Sequence, residues 1–195
     1  MTTSRNTRDD VVRAAGRLFA ERGYHGTSMR DLGRELGLRG SSLYSHISSK
    51  EDLLVDVVMR GAELFEASAR HAASVGGSPA HRLELLIAGH VDVVLDHLDE
   101  ARTFLNEAKS LDAGQRSTVL AARDRYEDAF RCVIRQGIAD GSFRQNLDVR
   151  MTAIYLLSIL NAIDRWYRPD GDLDRASLVG SLVDFVVRGA VGSAR

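Results

Sequence analysis

Residues 40–50, GSSLYSHISSK, crowd hydroxyls, a phenol, an imidazole and an ammonium group into a short run, with Arg39 just before it. These side chains hydrogen-bond and carry positive charge, but they are not arranged for bond making. The chain has no nucleophile elbow, no phosphate-cradling glycine loop after a strand and no dinucleotide fingerprint. His90 and His97 stand seven apart with Asp92 and Asp96 nearby, which is not the four-residue spacing of a helical metal pair. A helical enzyme would need a paired catalytic constellation that is not found. No catalytic residue, metal or cofactor is therefore expected, and the single Cys132 reads as a small buried hydrophobe.

Recognition is the chemistry that remains. At about 100° per residue, Leu43 and Ile47 fall on one side of a short helix. Ser41 and Ser45 point directly away, and Ser42, Tyr44 and His46 lie on the flanks. A slim, hydroxyl-bearing face edged by longer donors suits the DNA major groove, where small side chains approach base edges and longer ones reach phosphates. Ser48 and Ser49 then read as caps of the next helix, with Glu51 or Asp52 at the reciprocal position and Lys50 in its first turn. A cation beside the free N–H groups of a helix N-terminus makes a phosphate site.

Positioning such a face takes two preceding helices. The first is expected from Thr7 to Arg22, with an apolar stripe of Val11, Val12, Ala15, Leu18 and Phe19 and a left-handed stop at Gly23. The second should start at Thr27 or Ser28, where Ser28 and Asp31 have capping-box spacing, and run through Leu32 and Leu36 to Gly37. Two short helices joined by a tight glycine-bearing turn give the helix-turn-helix pattern.

The remainder is also helical by pattern. The chain has 195 residues, 44% of them hydrophobic and only two of them proline. Its apolar residues recur at three- and four-residue steps without strand-like alternation, so the expected fold is all-α with a real core. After the helix that starts at Lys50, a linker-like GGSP occupies 76–79, and further helices are expected near 79–98, 101–110, 114–140, 148–167 and 173–191. The longest apolar run, AIYLLSILNAI (153–163), is too short to span a bilayer and reads as a helix buried on all sides. One cysteine and no secretory h-region place the protein in the cytoplasm, with no membrane partner.

The net charge of −1 conceals an asymmetry: residues 1–50 carry a net +4 and the rest −5. A basic end beside an acidic remainder suits a polyanion partner, although a merely solvated surface has the same signature. The last two helices have broad apolar faces, Ile154, Leu157, Leu160 and Ile163 on one and Leu178, Leu182, Phe185, Val186 and Val191 on the other. They could pair with a second copy as a four-helix bundle or simply form the core of their own chain. Phe65, Leu86, His90, Phe104, Tyr126, Phe130, Ile134, Leu157, Asn161 and Trp166 could line a ligand cavity or serve as plain core. Asn161 is the most suggestive, because an amide in an apolar run must find a partner.

The run of Val11, Ala14, Ala15, Leu18, Phe19, Gly23, Tyr24, Thr27, Ser28, Leu32, Leu36, Gly37, Gly40, Leu43, Tyr44, His46, Ser49, Lys50, Glu51 and Leu53 resembles the N-terminal domain of the TetR family of bacterial transcriptional regulators. Gly33 stands where alanine is usual in that family and Ile47 where phenylalanine is common. The resemblance implies a three-helix DNA-binding domain over 1–50 and a larger helical domain over 51–195 that holds a small effector and the homodimer surface. It further implies a repressor of a palindromic operator. By position, Ser28, Arg30, Arg39, Ser41, Ser42, Tyr44, His46 and Lys50 match its DNA-contacting places. Tyr44, His46 and Lys50 are assigned to phosphates, and Arg39, Ser41 and Ser42 to bases. Each has a plainer alternative: Tyr44 leaning on the core, His46 as an ordinary surface residue, Arg39 touching phosphate only.

A narrower likeness concerns NAIDRWYRPDGDL (161–173), which resembles the C-terminal part of family members that control acyl-CoA catabolism. It implies a CoA thioester as the hydrophobic effector, with phosphates near Arg102, Arg123 or Arg125. The competing reading is a helical architectural or interaction protein that binds DNA without any effector.

Overall fold

The computed structural model describes residues 7–38, 43–44, 47–168 and 170–191, and among them the fold is helical without strands. Helix α1 (Arg8–Arg22) begins at Thr7, whose hydroxyl accepts the Asp10 N–H while the Asp10 carboxylate accepts the Thr7 N–H at 2.8 Å. These bonds, with Arg13 alongside, hold the Asp10 carboxyl at about 2. The helix ends where Gly23 takes φ +74°, a conformation that costs glycine little. Helix α2 (Met29–Glu35) carries a second reciprocal box between Ser28 and Asp31.

The chain continues as α3 (Lys50–Val75), α4 (Pro79–Asp96), α5 (Leu98–Asn106), a 3₁₀ turn at Glu107–Ser110, and α6 (Ala113–Ala139). Helices α7 (Val149–Leu160), α8 (Ile163–Trp166) and α9 (Arg175–Val183) follow, the last passing into a π-helix over Asp184–Val191. The uninterrupted helix expected over 148–167 is therefore two, because Asn161 and Ala162 form a turn in which the Asn161 N–H bonds Leu157 and the Ala162 N–H bonds Ile159. No helix of the described residues is long and apolar enough to cross a membrane.

Packing groups the residues into two compact units, Met1–Glu63 with His97–Ala121 and Leu64–Asp96 with Ala122–Arg195. In the first, α5 lies against α1 and against the start of α3. Gly61 makes that approach possible: a Cβ there would sit 2.6 Å from the Glu100 carbonyl oxygen and 2.8 Å from the Phe104 Cβ. Arg60, one residue before, bonds Asp9 of α1 and lies 3.5 Å from Glu100 of α5. Gly33 is buried, and an alanine Cβ there would come 3.1 Å from the Leu38 carbonyl, so glycine relaxes a tight turn. Ile47 is also buried and fills its place in the core.

In the second unit α4 is central, meeting α7, α8, α9 and the π-helix. Arg175 at the start of α9 bonds Asp92 at 3.2 Å and Asp96 at 2.8 Å on α4. Two expectations fail here. The run 153–163 is not buried on all sides: Tyr155 is 60% exposed and Ser158 is also exposed, because α7 packs on one face only within the chain. Cys132 is exposed as well, since Phe130, Val133, Ile134 and Gly137 make the buried side of α6 and residue 132 falls opposite.

Candidate nucleic-acid interface and effector site

The head is assembled from local devices. Thr27, buried, donates its hydroxyl to the Leu18 carbonyl at 3.1 Å and the Gly23 carbonyl at 3.0 Å, which fixes the link between α1 and α2. Ser28 caps α2 and Arg30 is exposed one residue into it. Leu43 and Ile47 are buried, as their spacing requires, whereas Tyr44 is 58% exposed and so does not lean on the core. Ser28, Arg30, Tyr44 and Leu43 share the walls of an open groove of about 460 Å³. Arg39, Ser41, Ser42 and His46 lie outside the described residues.

Lys50 opens α3. The Ser49 hydroxyl accepts the Asp52 N–H at 2.9 Å, so the expected cap forms one residue before the lysine. The Lys50 ammonium lies 4.0 Å above the centre of the Tyr24 ring, and partial burial lowers its pKa. Tyr24 in turn meets Phe19 and His25 edge-on. This aromatic platform was missed by motif spacing, because its partner lies 26 residues further along the chain. An aromatic directly after a helix stop, with no place in an apolar stripe, was the only local signal.

The body gathers some of the candidate pocket residues and leaves others apart. Phe65 lies 4.9 Å from the His90 ring and 5.1 Å from Tyr126, and Tyr126 meets Phe130 edge-on at 5.5 Å. Leu86 and Ile134 are buried and Leu157 half-buried. His90 Nδ1 and the Tyr126 hydroxyl are 3.1 Å apart. The other ring nitrogen, Nε2, and the Asn161 Oδ1 are buried without a hydrogen-bond partner. Phe104 belongs to the first unit, beside Gly61, and Trp166 is 49% exposed. Trp166, which meets Tyr167 edge-on, does not join the cluster.

Full burial lowers the His90 pKa to about 3, against an ordinary value of 6.5, and raises that of Tyr126. The unfolded chain therefore takes up a proton near pH 6.5 that the folded chain refuses until about 3. Stability contributed by neutral His90 is complete above 6.5 and falls as pH drops through that window, by at most about 1.4 kcal/mol per pH unit. Urea unfolding of wild type and His90→Leu at pH 7 and pH 5.5 should show the acid loss in wild type alone. Equal losses in both proteins would remove His90 as its source.

Beside this cluster the second unit carries a surface trough of about 320 Å³ between α3 and α6. Ala69 and Ala73 of α3 and Ala129 of α6 form its floor, with Tyr126 at the bottom. Glu66, Arg70 and Arg125 stand at its edges. Arg125 donates from Nε at 2.9 Å and from Nη2 at 2.7 Å to one oxygen of Glu66, whose other oxygen is 3.8 Å from Arg70.

A capped pair of helices, an inward-anchored third segment and a cation at the next helix N-terminus define a DNA-binding helix-turn-helix protein with a helical body. The model of bacterial regulatory proteins of the tetR family matches residues 11–57, and that of the tetracyclin repressor-like C-terminal domain matches 76–190. The chain belongs to the TetR family of bacterial transcriptional regulators. It is 30% identical over 185 residues to the HTH-type transcriptional repressor KstR2 of Rhodococcus jostii strain RHA1, which covers 93% of this chain and 90% of that protein. The structure of the ketosteroid transcriptional regulator KstR2 of Mycobacterium tuberculosis superposes with a TM-score of 0.89 at 26% identity, over 100% of this chain and 98% of that one. AibR in complex with isovaleryl coenzyme A and operator DNA superposes with a TM-score of 0.84 at 26% identity, over 91% and 96%.

Proposed function

We propose that this chain is a repressor that binds a palindromic operator as a homodimer and lets go when an acyl-CoA thioester occupies its body. The observation that carries the DNA part is the placement of Lys50: an ammonium seated on Tyr24 at the N-terminus of α3, beside a segment whose aliphatics turn inward and whose Tyr44 turns out. Such a constellation fixes a phosphate and leaves the outer side of the segment to the bases.

Homodimerisation is supported by apolar side chains left uncovered on the last helices. Tyr155 and Met151 on α7 and Phe185 on the π-helix are exposed in a single copy, and pairing with a second copy would remove them from water. Two heads related by a twofold axis would then read half-sites roughly 34 to 36 Å apart. The acyl-CoA part rests on the relatives: AibR was crystallised with isovaleryl coenzyme A, and KstR2 is described as a ketosteroid regulator. The apolar, aromatic body with buried polar atoms at His90 and Asn161 suits such a ligand. Release is a population shift, and moving the dimer from 1:99 to 99:1 takes about 5.5 kcal/mol of differential affinity.

The test is one binding assay. An operator selected from random DNA should bind the wild type tightly and be released by a CoA thioester. Lys50→Ala should weaken binding to every sequence and reduce the slope of log affinity against log salt by about one. An unchanged salt slope would remove Lys50 from the phosphate contact, and DNA binding indifferent to every CoA thioester would favour a protein without an effector.

A further inference from the structure

The trough between α3 and α6 is built unlike the rest of the second unit. Its α3 side offers Glu66, Ala69, Arg70 and Ala73, which recur at three- and four-residue steps and so share one helix face. At the floor positions only methyl groups project, so the two helices leave open space where larger side chains would interdigitate. The rim places two guanidiniums around one carboxylate, a net positive charge. A guanidinium has five N–H donors, and Arg125 spends two of them on Glu66. Arg70 and Arg125 are 70% and 58% exposed, within reach of an arriving anion. Tyr126 is the link inward: it lines the trough, is 5% exposed, and its hydroxyl is the partner of buried His90.

We infer that this trough holds the phosphate-bearing part of the effector, with Arg70 and Arg125 on the phosphates and the linker chain over the alanine floor. The acyl part enters beside Tyr126 by parting the packed rings of Phe65, His90 and Phe130. The assignment rests on the acyl-CoA reading above and names its site. It selects Arg125 from the arginines the sequence offered and adds Arg70, which spacing alone did not single out. Planar, multidentate donors at a rim suit phosphate oxygens. A volume of about 320 Å³ is at the small end for ligand sites and accommodates part of such a molecule, the rest lying outside or inward. Glu66 is the competitor for the same arginines, so the empty protein keeps its charges paired until a stronger anion takes its place.

Calorimetric titration separates this site from the reading it rests on. Wild type, Arg70→Ala/Arg125→Ala and Glu66→Gln are each titrated with isovaleryl-, octanoyl-, palmitoyl- and steroid-carboxyl-CoA. The S-acyl pantetheines, which lack phosphates, are titrated in parallel. The arginine double variant should lose roughly tenfold to a hundredfold in affinity for the bound CoA thioester and nothing for its pantetheine counterpart. Glu66→Gln should bind the CoA thioester more tightly than wild type, a gain that a merely structural ion pair does not give. The Glu66→Gln result decides the matter if the double variant fails to fold. Wild-type affinity in both variants overturns the trough and leaves the acyl-CoA reading standing. A wild type that binds none of the thioesters overturns that reading and the trough with it.

Discussion

Phe65→Ala is expected to lower the unfolding free energy by about 3 to 5 kcal/mol. The ring is almost fully buried, and it touches both members of the His90–Tyr126 pair at 4.9 and 5.1 Å between ring centres. Truncation removes the transfer free energy of the ring and leaves a void whose walls are themselves rigid rings, which close over it poorly. Against a total stability of roughly 5 to 15 kcal/mol for a domain, such a loss puts much of the protein near unfolding at 37 °C. Urea denaturation followed by circular dichroism gives the value, with Phe65→Leu as the milder comparison. A midpoint within experimental error of wild type would mean that the aromatic cluster is not the packed centre of the second unit.

The second large effect is at Leu43, which is completely buried and shares with Ile47 the work of anchoring the recognition segment. Leu43→Ala should cost about 2 to 5 kcal/mol, and its functional consequence should exceed that of any single outward residue. A segment held by two side chains and deprived of one samples positions from which Tyr44 and its neighbours cannot meet the groove. The measured operator affinity then falls by the fraction of molecules still competent. Leu43→Met, which conserves volume, should cost less than about 1.5 kcal/mol and keep most of the affinity. Filter binding on a selected operator, alongside thermal unfolding, distinguishes the two variants. Full operator affinity in Leu43→Ala would show that the inward pair does not hold the DNA face.

Much of the DNA-binding head was legible because its signals are short-range. Ser28 and Asp31, Ser49 and Asp52, and Gly23 are devices that act within one helical turn, and each appears where its spacing put it. Leu43 and Ile47 were assigned inward from their angle alone and are buried. The candidate pocket was less legible. Phe65, His90, Tyr126 and Phe130 do meet, but Trp166 stands half in water. An apolar residue on a helix announces that it will be covered, without announcing by what. The same gap explains Cys132 and the run around Tyr155, where composition suggested burial and the packing of one helix face decided otherwise.

By itself the sequence determined the helical class, most helix ends, the capped helix-turn-helix and the family. The first three follow from periodicity, capping and motif spacing over a few residues, and the family from the resemblance carried by residues 11–53. Only the tertiary structure decided that Lys50 rests on Tyr24, that Tyr126 joins the trough to His90, and that Glu66 is shared by Arg70 and Arg125. Apart from Glu66 and Arg70, four residues apart on one helix, those contacts join residues tens of positions apart, and side-chain type leaves their pairing open. The way helices pack against one another, set by where a glycine or an alanine lets two backbones approach, brings the partners within reach.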